Sequence, residues 1–546
     1  MQRTTKHLDV VTAIRRPGLL KTLAVVLGIG LGATATGALA QNPFIQAQPI
    51  SESLEPARLH ADQQSEVAKH LKELEARTGR KPNVLIMLVD DMGWGDPGAF
   101  GGGIAIGAPT PHIDNMARAG LKLTSTYAQP TCTPTRSAMM TGRLPARTGL
   151  TRPTLTGERV LVNPWESEKT AAGLLSEAGY MTALSGKWHL GEADGGQPHQ
   201  VGYDEYLGIL SVVSEFTQGL DPRRYPELTL NPERMAALHQ VSHPAVTAGL
   251  KGEALKVITE LDSLEKVAEI DQQFATYSED FIHRAVQAKK PFYLVHSFSR
   301  VHNDNFPAKA FTGKSPARTP YKDAVIEVDD IVGRLLTKLK EEGVADNTLV
   351  FFTSDNGANE DAWPDAGFQP WRGGKGTTWE GGVRVPGIAY WPGMIESGRE
   401  SDELFDLMDL FNTSLTLGGV NVPTDRYIDG VDQSSFLLAN NGQSNREAVF
   451  MYSERNFTAL RWNEFKVHFK VFQTPVPGSN IDESMLIGTG MSPWVYNLYL
   501  DPKEMKSVGH RTFEWGLPNI LNLVTRHMAS YRQYPMKELG LAKPVQ

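Results

Sequence analysis

Four apolar runs that each break off in a polar cluster limit how this chain can fold. "NVLIMLVDD" (83–91) stays hydrophobic until two carboxylates, the texture of a strand covered on both faces of a parallel sheet. "YMTALSGKWHLG" (180–191) runs out into a glycine-rich loop. "PFYLVHSFSRVHN" (291–303) follows the helical "DQQFATYSEDFIHRAVQAKK", and "NTLVFFTSDNG" (347–357) follows the amphipathic "YKDAVIEVDDIVGRLLTKLKEEG". Helices alternating with buried strands make an α/β fold. In open sheets of this class ligands bind beyond the carboxyl ends of the strands. Asp90-Asp91, Lys187 with His189, His302, and Asp355-Asn356 are therefore expected on one rim.

The flanks differ in texture. Arg3, Lys6, Arg15, Arg16 and Lys21 lead into "LAVVLGIGL" and a small-residue stretch ending Ala38-Leu39-Ala40, which reads as a signal peptide over 1–40 cleaved after Ala40. The expected location is periplasmic or secreted. The apolar core is too short for a comfortable membrane span, so no stable membrane association is expected. Residues 41–81 are a polar N-terminal extension with a helix over Ala61–Glu75, and the catalytic domain is expected over 82–425. Beyond it, "REAVFMY", "FTALRW", "FKVHFKVF" and "WVYNLYL" alternate like short antiparallel strands, and "PNILNLVTRHMASYRQYP" reads as a closing helix, giving a C-terminal subdomain over 426–546. A net charge of −8 with no basic run excludes nucleic acid as a partner and makes any cationic site local.

Asp90, Asp91, Asp355 and Asn356 offer only oxygen, which suits a hard divalent cation such as Ca²⁺ or Mg²⁺ rather than zinc. Lys187, His189, Lys375 (in "WRGGKGTTWEGG") and Arg136 would, converging with a metal, hold a tetrahedral oxyanion. His296 and His283 are assigned no role. Cys132 is the one cysteine of the chain, set between two prolines in "YAQPTCTPTRSAMMTGR". A single thiol in an exported chain is either a buried hydrophobe or kept for its chemistry. Pro134 at a first-turn position places Cys132 just before a helix N-terminus, where negative charge is favoured. A thiolate is nevertheless poorly matched to a hard-metal, oxygen-ligand site.

"CTPTR" at 132–136, continuing as "SAMMTG", resembles the signature of the sulfatase family, and "GYMTALSGKWH" at 179–189 resembles its second signature. "VLIMLVDDMGWGD", "PHIDNMARAG", "NTLVFFTSDNG", "GGKGTTWEGGVRVPGIAYWPG" and "IDGVD" follow in order, so the likeness covers most of 82–435. The resemblance implies an alkaline-phosphatase-like large domain with a mixed, mostly parallel sheet flanked by helices, and a small C-terminal α+β domain with an antiparallel sheet. It implies that a formylglycine-generating enzyme oxidises Cys132 to formylglycine (3-oxoalanine) during maturation. The hydrated aldehyde would attack sulfur and then expel sulfate by losing its second hydroxyl proton.

By position in the motifs, Asp90, Asp91, Asp355, Asn356 and modified Cys132 would hold Ca²⁺, with Mg²⁺ also conceivable. Arg136 would orient the modified side chain. Lys187 and Lys375 would bind sulfate oxygens, His189 would be the base, and His302 would bind substrate and be the acid toward the leaving oxygen. His296 competes with His302, because "RVHNDNFP" departs from the family's usual His-Pro spacing. The substrate is expected to be an aryl or carbohydrate sulfate ester. The rival readings are a phosphonate monoester or phosphodiester hydrolase of the same superfamily, and a non-catalytic oxyanion- or glycan-binding protein. Residues 195–279 match no family block and are expected to line or cover the substrate mouth; Trp165, Trp363 and Trp371 are candidates for stacking on a ring.

Overall fold

Alternate residues of the first apolar run face opposite ways, and both faces are covered. Val84, Ile86 and Leu88 join a core with Trp188, Tyr203 and Phe351, while Leu85, Met87 and Val89 join a second core beneath the helix Pro320–Glu341. That double burial is why the run carries no polar residue until it ends. The computed structural model describes residues 47–154, 164–360, 363–472, 486–490, 492–509 and 512–538; the expected signal peptide lies outside the described residues.

In chain order the strands of the large sheet are β1 (Asn83–Val89), β2 (Leu121–Tyr127), β3 (Met181–Lys187), β4 (Glu205–Ile209), β5 (Ala245–Leu250), β6 (Lys256–Glu260), β7 (Phe292–Ser297), β8 (Thr348–Ser354), β9 (Arg384–Tyr390), β10 (Arg399–Ser401) and β11 (Phe405–Asp406). They run in the order β10-β2-β9-β8-β1-β7-β3-β4-β5-β6, with β11 also on β2. The central pairs β8–β1, β1–β7, β7–β3 and β3–β4 are parallel, whereas β9 is antiparallel to both β8 and β2. The sheet is mixed and mostly parallel at its centre, flanked by helices on both faces, as expected. β1, β3, β7 and β8 are contiguous and point the same way, so their polar ends share one rim.

The helix of the N-terminal extension runs Ala61–Thr78 rather than stopping at Glu75, and ends where Gly79 takes φ 67° and its N–H bonds the Glu75 carbonyl. Val67 and Leu74 of this helix are buried in the main core, so the stretch is docked and not a loose leader. Near the C-terminus, β12 (Ala448–Ser453), β13 (Asn456–Trp462), β14 (Phe465–His468) and, after a separate ribbon of β15 (Lys470–Phe472) with β16 (Leu486–Gly488), β17 (Trp494–Asn497) form the small antiparallel sheet β12-β13-β14-β17. "FKVHFKVF" is thus two strands in two sheets, not one. The helix Leu517–Gln533 closes this part, burying Ile520, Leu523 and His527. In the stretch 195–279, β4–β6 extend the large sheet, and the helices Val213–Thr217, Pro226–Thr229 and Pro232–Val241 form an insertion between β4 and β5.

Candidate active site

The rim is locked together by backbone beyond the strands. Asp90 N–H donates to the Arg300 carbonyl (2.9 Å), Val301 N–H to the Asp90 carbonyl (2.8 Å) and Asp355 N–H to the Val89 carbonyl (3.0 Å). These bonds carry the β7–β1–β8 ladder past its formal ends and fix Asp90, Asp91, Asp355 and the His302 loop side by side. Asp91 (φ 63°) and His189 (φ 56°) both adopt left-handed backbone at the turn out of a strand. Non-glycine residues in that region are held there by their surroundings, and such positions concentrate at functional sites.

Three carboxylates and three cations alternate in the buried centre. Lys187 Nζ donates to Asp90 Oδ2 at 2.6 Å, and Lys375 Nζ sits 2.8 Å from both oxygens of Asp91. Arg136 donates from Nε (3.0 Å) and Nη2 (2.7 Å) to Asp355 Oδ2, and its Nη1 donates to the Lys187 carbonyl and to Ser297 Oγ. Burial, with the nearby carboxylates of Asp355 and Asp91, pushes the Asp90 carboxyl up to about 7 against the pull of Lys187. Burial acts the same way on Asp91, but Lys375, His302 and Lys187 outweigh it and hold that carboxyl below its ordinary range. Asp355 is also lowered: Arg136 and Lys187 overcome its burial.

Cys132 is the first residue of the helix Cys132–Thr141, so it opens the helix rather than preceding it. Its Sγ lies 3.5 Å from Asp90 Oδ1 and 3.9 Å from Asp91 Oδ1. Burial and then the Asp355 carboxylate push its thiol far up. Burial and the neighbouring carboxylates thus disfavour a thiolate here, in keeping with the poor match between a thiolate and an oxygen-ligand site, and the helix terminus does not by itself make residue 132 an anion.

His189 Nε2 faces the Thr154 carbonyl at 3.4 Å, and its Nδ1 is buried with no hydrogen-bond partner among the described residues. Burial, then Lys187 and Arg136, hold this imidazole far below its usual value. His302, with 11% of its side chain exposed, turns Nε2 to within 3.6 Å of Asp91 Oδ2, while Nδ1 rests on the Asn303 carbonyl. Burial and Lys375 lower its pKa to about 3 against the pull of Asp91. His296 is held inside the sheet by Ser278 Oγ at 2.8 Å and packs edge-on to Phe298, away from the rim cluster. His283 pairs with Glu342 on the surface.

The donor set fits a hard divalent cation. Asn356 gives its Nδ2 to Asp91 Oδ1 (2.8 Å) and the Gly357 carbonyl (2.9 Å), which leaves Oδ1 buried without a partner among the described residues. An orphaned amide oxygen beside mutually repelling carboxylates is what a Ca²⁺ or Mg²⁺ ligand looks like without its ion. A second cluster, Glu55, Asp429 and His527, also holds a buried atom without a partner among the described residues, His527 Nδ1, but its carboxylates are already met: Arg147 binds that of Asp429 and Tyr427 donates to Glu55.

Sequence reasoning missed Ser297, which accepts from Arg136 and donates to the Lys187 carbonyl at 2.7 Å, and Thr133, which donates to the His189 carbonyl at 2.8 Å. Both sit beside flagged positions, Ser297 at the end of β7 and Thr133 in the first turn of the helix that Cys132 opens, and that adjacency was the available signal. Of the tryptophans, Trp165 is buried and bonds the Leu190 carbonyl; Trp371 lies edge-on to Trp94 and under the Arg384 guanidinium. Those two are packing residues, and Trp363, 75% exposed, remains open to a ligand.

A sulfatase family model matches residues 82–420. The structure is similar to that of the PsFucS1 sulfatase from Pseudoalteromonas sp., with a TM-score of 0.87 and 53% identity over 91% of this chain and 99% of that one. The chain is 34% identical over 472 residues to N-acetylgalactosamine-6-sulfatase of Homo sapiens, covering 82% of this chain and 85% of the relative. It is 34% identical over 452 residues to steryl-sulfatase of Homo sapiens, covering 72% and 76%.

Proposed function

The chain belongs to the sulfatase family and is a sulfuric ester hydrolase, and on that premise we propose that it hydrolyses carbohydrate sulfate esters using formylglycine made from Cys132 and a bound Ca²⁺. The observation that carries this reading is the placement of one thiol at the head of a helix, against Asp90 and Asp91, inside a ring of three carboxylates and three fixed cations. A thiol so placed is a poor nucleophile as it stands, which favours its role as a precursor. A carbohydrate alcohol is favoured by the likeness to an N-acetylgalactosamine-6-sulfatase across most of both chains.

Asp90, Asp91, Asp355 and Asn356, with the modified Cys132 side chain, would hold the ion. When bound, the ion supplies Lewis acidity that lowers the nucleophile's pKa and polarises the sulfate. The oxidised side chain supplies a geminal diol, one hydroxyl for attack on sulfur and one for release of sulfate. Arg136, braced by Asp355 and Ser297, fixes the orientation of residue 132. Lys187 and Lys375 meet the sulfate oxygens and offset charge that builds on them. His189 is kept neutral by its surroundings; with Nε2–H given to the Thr154 carbonyl, Nδ1 keeps its lone pair and takes the proton of the second hydroxyl. His302 presents Nε2 toward the leaving oxygen; burial first and Lys375 second depress its pKa, and an anionic ester offsets the second of these. Export by the 1–40 segment belongs to the same proposal. Among the described residues no helix is long and apolar enough to cross a membrane.

Mass spectrometry of the tryptic peptide Leu123–Arg136 tests the reading directly. The expected result is loss of the thiol and gain of an aldehyde at Cys132, together with turnover of a sugar sulfate. An unmodified cysteine in protein that still cleaves sulfate esters would overturn the formylglycine mechanism.

A further inference from the structure

We propose that Asp304 is a positioning residue for His302, and that the insertion between β4 and β5 acts in the reaction by holding it. This rests on the reading of His302 as the group facing the leaving oxygen. The His302 ring is set by backbone: Nδ1 rests on the carbonyl of Asn303, the residue between His302 and Asp304. One residue before His302, Val301 N–H is pinned to the Asp90 carbonyl. The other side of the loop is pinned by Asp304, which is 2% exposed. Its Oδ2 accepts from Thr217 Oγ1 and from the Tyr225 hydroxyl, each at 2.8 Å, and its Oδ1 pairs with Arg224. All three partners come from the insertion.

That anchor is itself rigid. Val213 and Phe216, on the helix that ends at Thr217, are buried with Val246, Leu261 and Phe274, which belong to the sheet edge, its flanking loop and the neighbouring long helix. Thr217 is fully buried. Positional information therefore passes from a packed helix through Thr217, Arg224 and Tyr225 to Asp304, then to the Asn303 carbonyl and the ring of His302. Lys187 and Lys375 make no contact with Asp304 or its partners: their side chains pair with Asp90 and Asp91, which the loop reaches through the Arg300 carbonyl, Val301 N–H and His302 Nε2. A perturbation of Asp304 should therefore affect the leaving-group side of the site and spare the sulfate-binding side. Geometric control of this kind matters because small displacements of a positioned proton donor cost rate steeply.

The test uses Asp304→Asn and the milder Tyr225→Phe, assayed on two esters. One is 4-nitrophenyl sulfate, whose phenolate leaves with little help. The other is a sugar 6-O-sulfate, whose alkoxide needs a proton. For Asp304→Asn the expected result is a loss of roughly 10- to 100-fold in kcat/KM on the sugar ester, less than the roughly 10²–10⁴-fold that a positioned acid contributes in full, and little change on the aryl ester. Tyr225→Phe should show the same bias at smaller size. Equal losses on both esters, or no loss on either, would overturn the proposal. His302→Ala separates the two levels. If it slows both esters alike, the role given to His302 falls. If it is selective and Asp304→Asn is not, only the present proposal falls. Hydrogen exchange over 298–308 gives a readout independent of substrate: faster exchange at 301–305 in Asp304→Asn is expected, and unchanged exchange overturns the proposal.

Discussion

Asn356 and Lys375 separate two jobs that the rim performs within a few ångströms. Asn356 ends with a buried amide oxygen that no described donor satisfies, a cost that a native fold tolerates when a ligand meets it. Added Ca²⁺ should therefore raise the melting temperature of the wild type, since an ion that binds only the folded state stabilises it by mass action. Asn356→Ala should weaken cation affinity by about 10-fold or more, read as a shift in the Ca²⁺ concentration needed for the same stabilisation. Chelation should abolish turnover and its restoration should follow added Ca²⁺. Lys375 is buried against Asp91 and, despite burial that favours loss of its proton, is held charged by that carboxylate and its neighbours. Lys375→Ala should lower kcat by roughly 10²–10³-fold, the scale on which removal of one preorganised charge stabiliser acts. A wild-type rate in that variant would remove Lys375 from the reaction.

At the scale of elements, the loop that carries Lys375 is clamped from a distant part of the chain. Glu380 N–H donates to Glu504 Oε2 (2.7 Å), Arg372 donates to the Glu504 carbonyl (2.7 Å), and Lys466 of β14 bridges Glu380 (2.9 Å) and Glu504 (3.3 Å) with all three side chains buried. Lys466→Met would leave two buried carboxylates without that cation. The expected loss is about 3–5 kcal/mol in denaturant unfolding, the cost of stripping one partner from a buried charge group. Here the limits of the sequence become concrete. The strand ends holding Asp90, Lys187, His302 and Asp355 were legible because a buried parallel strand announces itself by unbroken hydrophobicity and stops at a polar residue. The motif around Cys132 was legible by residue type and spacing. Neither the Glu380–Lys466–Glu504 clamp nor the grip of Thr217, Arg224 and Tyr225 on Asp304 leaves such a trace. Those partners lie between 38 and 124 residues apart and obey no local period. The insertion was unreadable for the same reason, since its purpose lies in what it touches. The company that Cys132 keeps, Asp90 and Asp91 beside its Sγ, was legible only through the motif, because those residues meet there only after folding.

Over the whole molecule, the small C-terminal sheet and its closing helix are wired into the large sheet through buried polar groups, which makes the fold sensitive to acid at their junction. Arg147, just past the Cys132 helix, lies between the rings of Tyr427 (4.2 Å) and Tyr531 (4.1 Å), binds the Asp429 carboxylate, and donates to Ser530 Oγ and the Tyr534 carbonyl of the closing segment. His527 occupies the same junction, stacked on Phe450 at 3.9 Å with Nε2 at 2.7 Å from the Tyr452 hydroxyl. The charged groups facing it are Arg147, Arg526, Glu55 and Asp429. Burial first, then the two arginines, hold its imidazole well below the ordinary value of 6.5, so the folded protein keeps it neutral. In the unfolded chain His527 titrates normally. Below pH 6.5 the unfolded state therefore binds a proton that the folded state does not. This contribution to stability is full above that pH and is lost progressively as pH falls beneath it. Between pH 7 and pH 5 the loss from this one group is at most about 2 kcal/mol, the limit set by its unfolded titration. His527→Phe keeps the stacking on Phe450 and removes the titration. Its unfolding free energy, from urea titrations at pH 7 and pH 5, should fall less than that of the wild type over the same interval, by up to about 2 kcal/mol, even if it starts lower for want of the Tyr452 partner. An equal fall in both proteins would mean that His527 takes up its proton without leaving the fold, and that the junction is open to water where the packing of Arg147 and Tyr531 shows it closed.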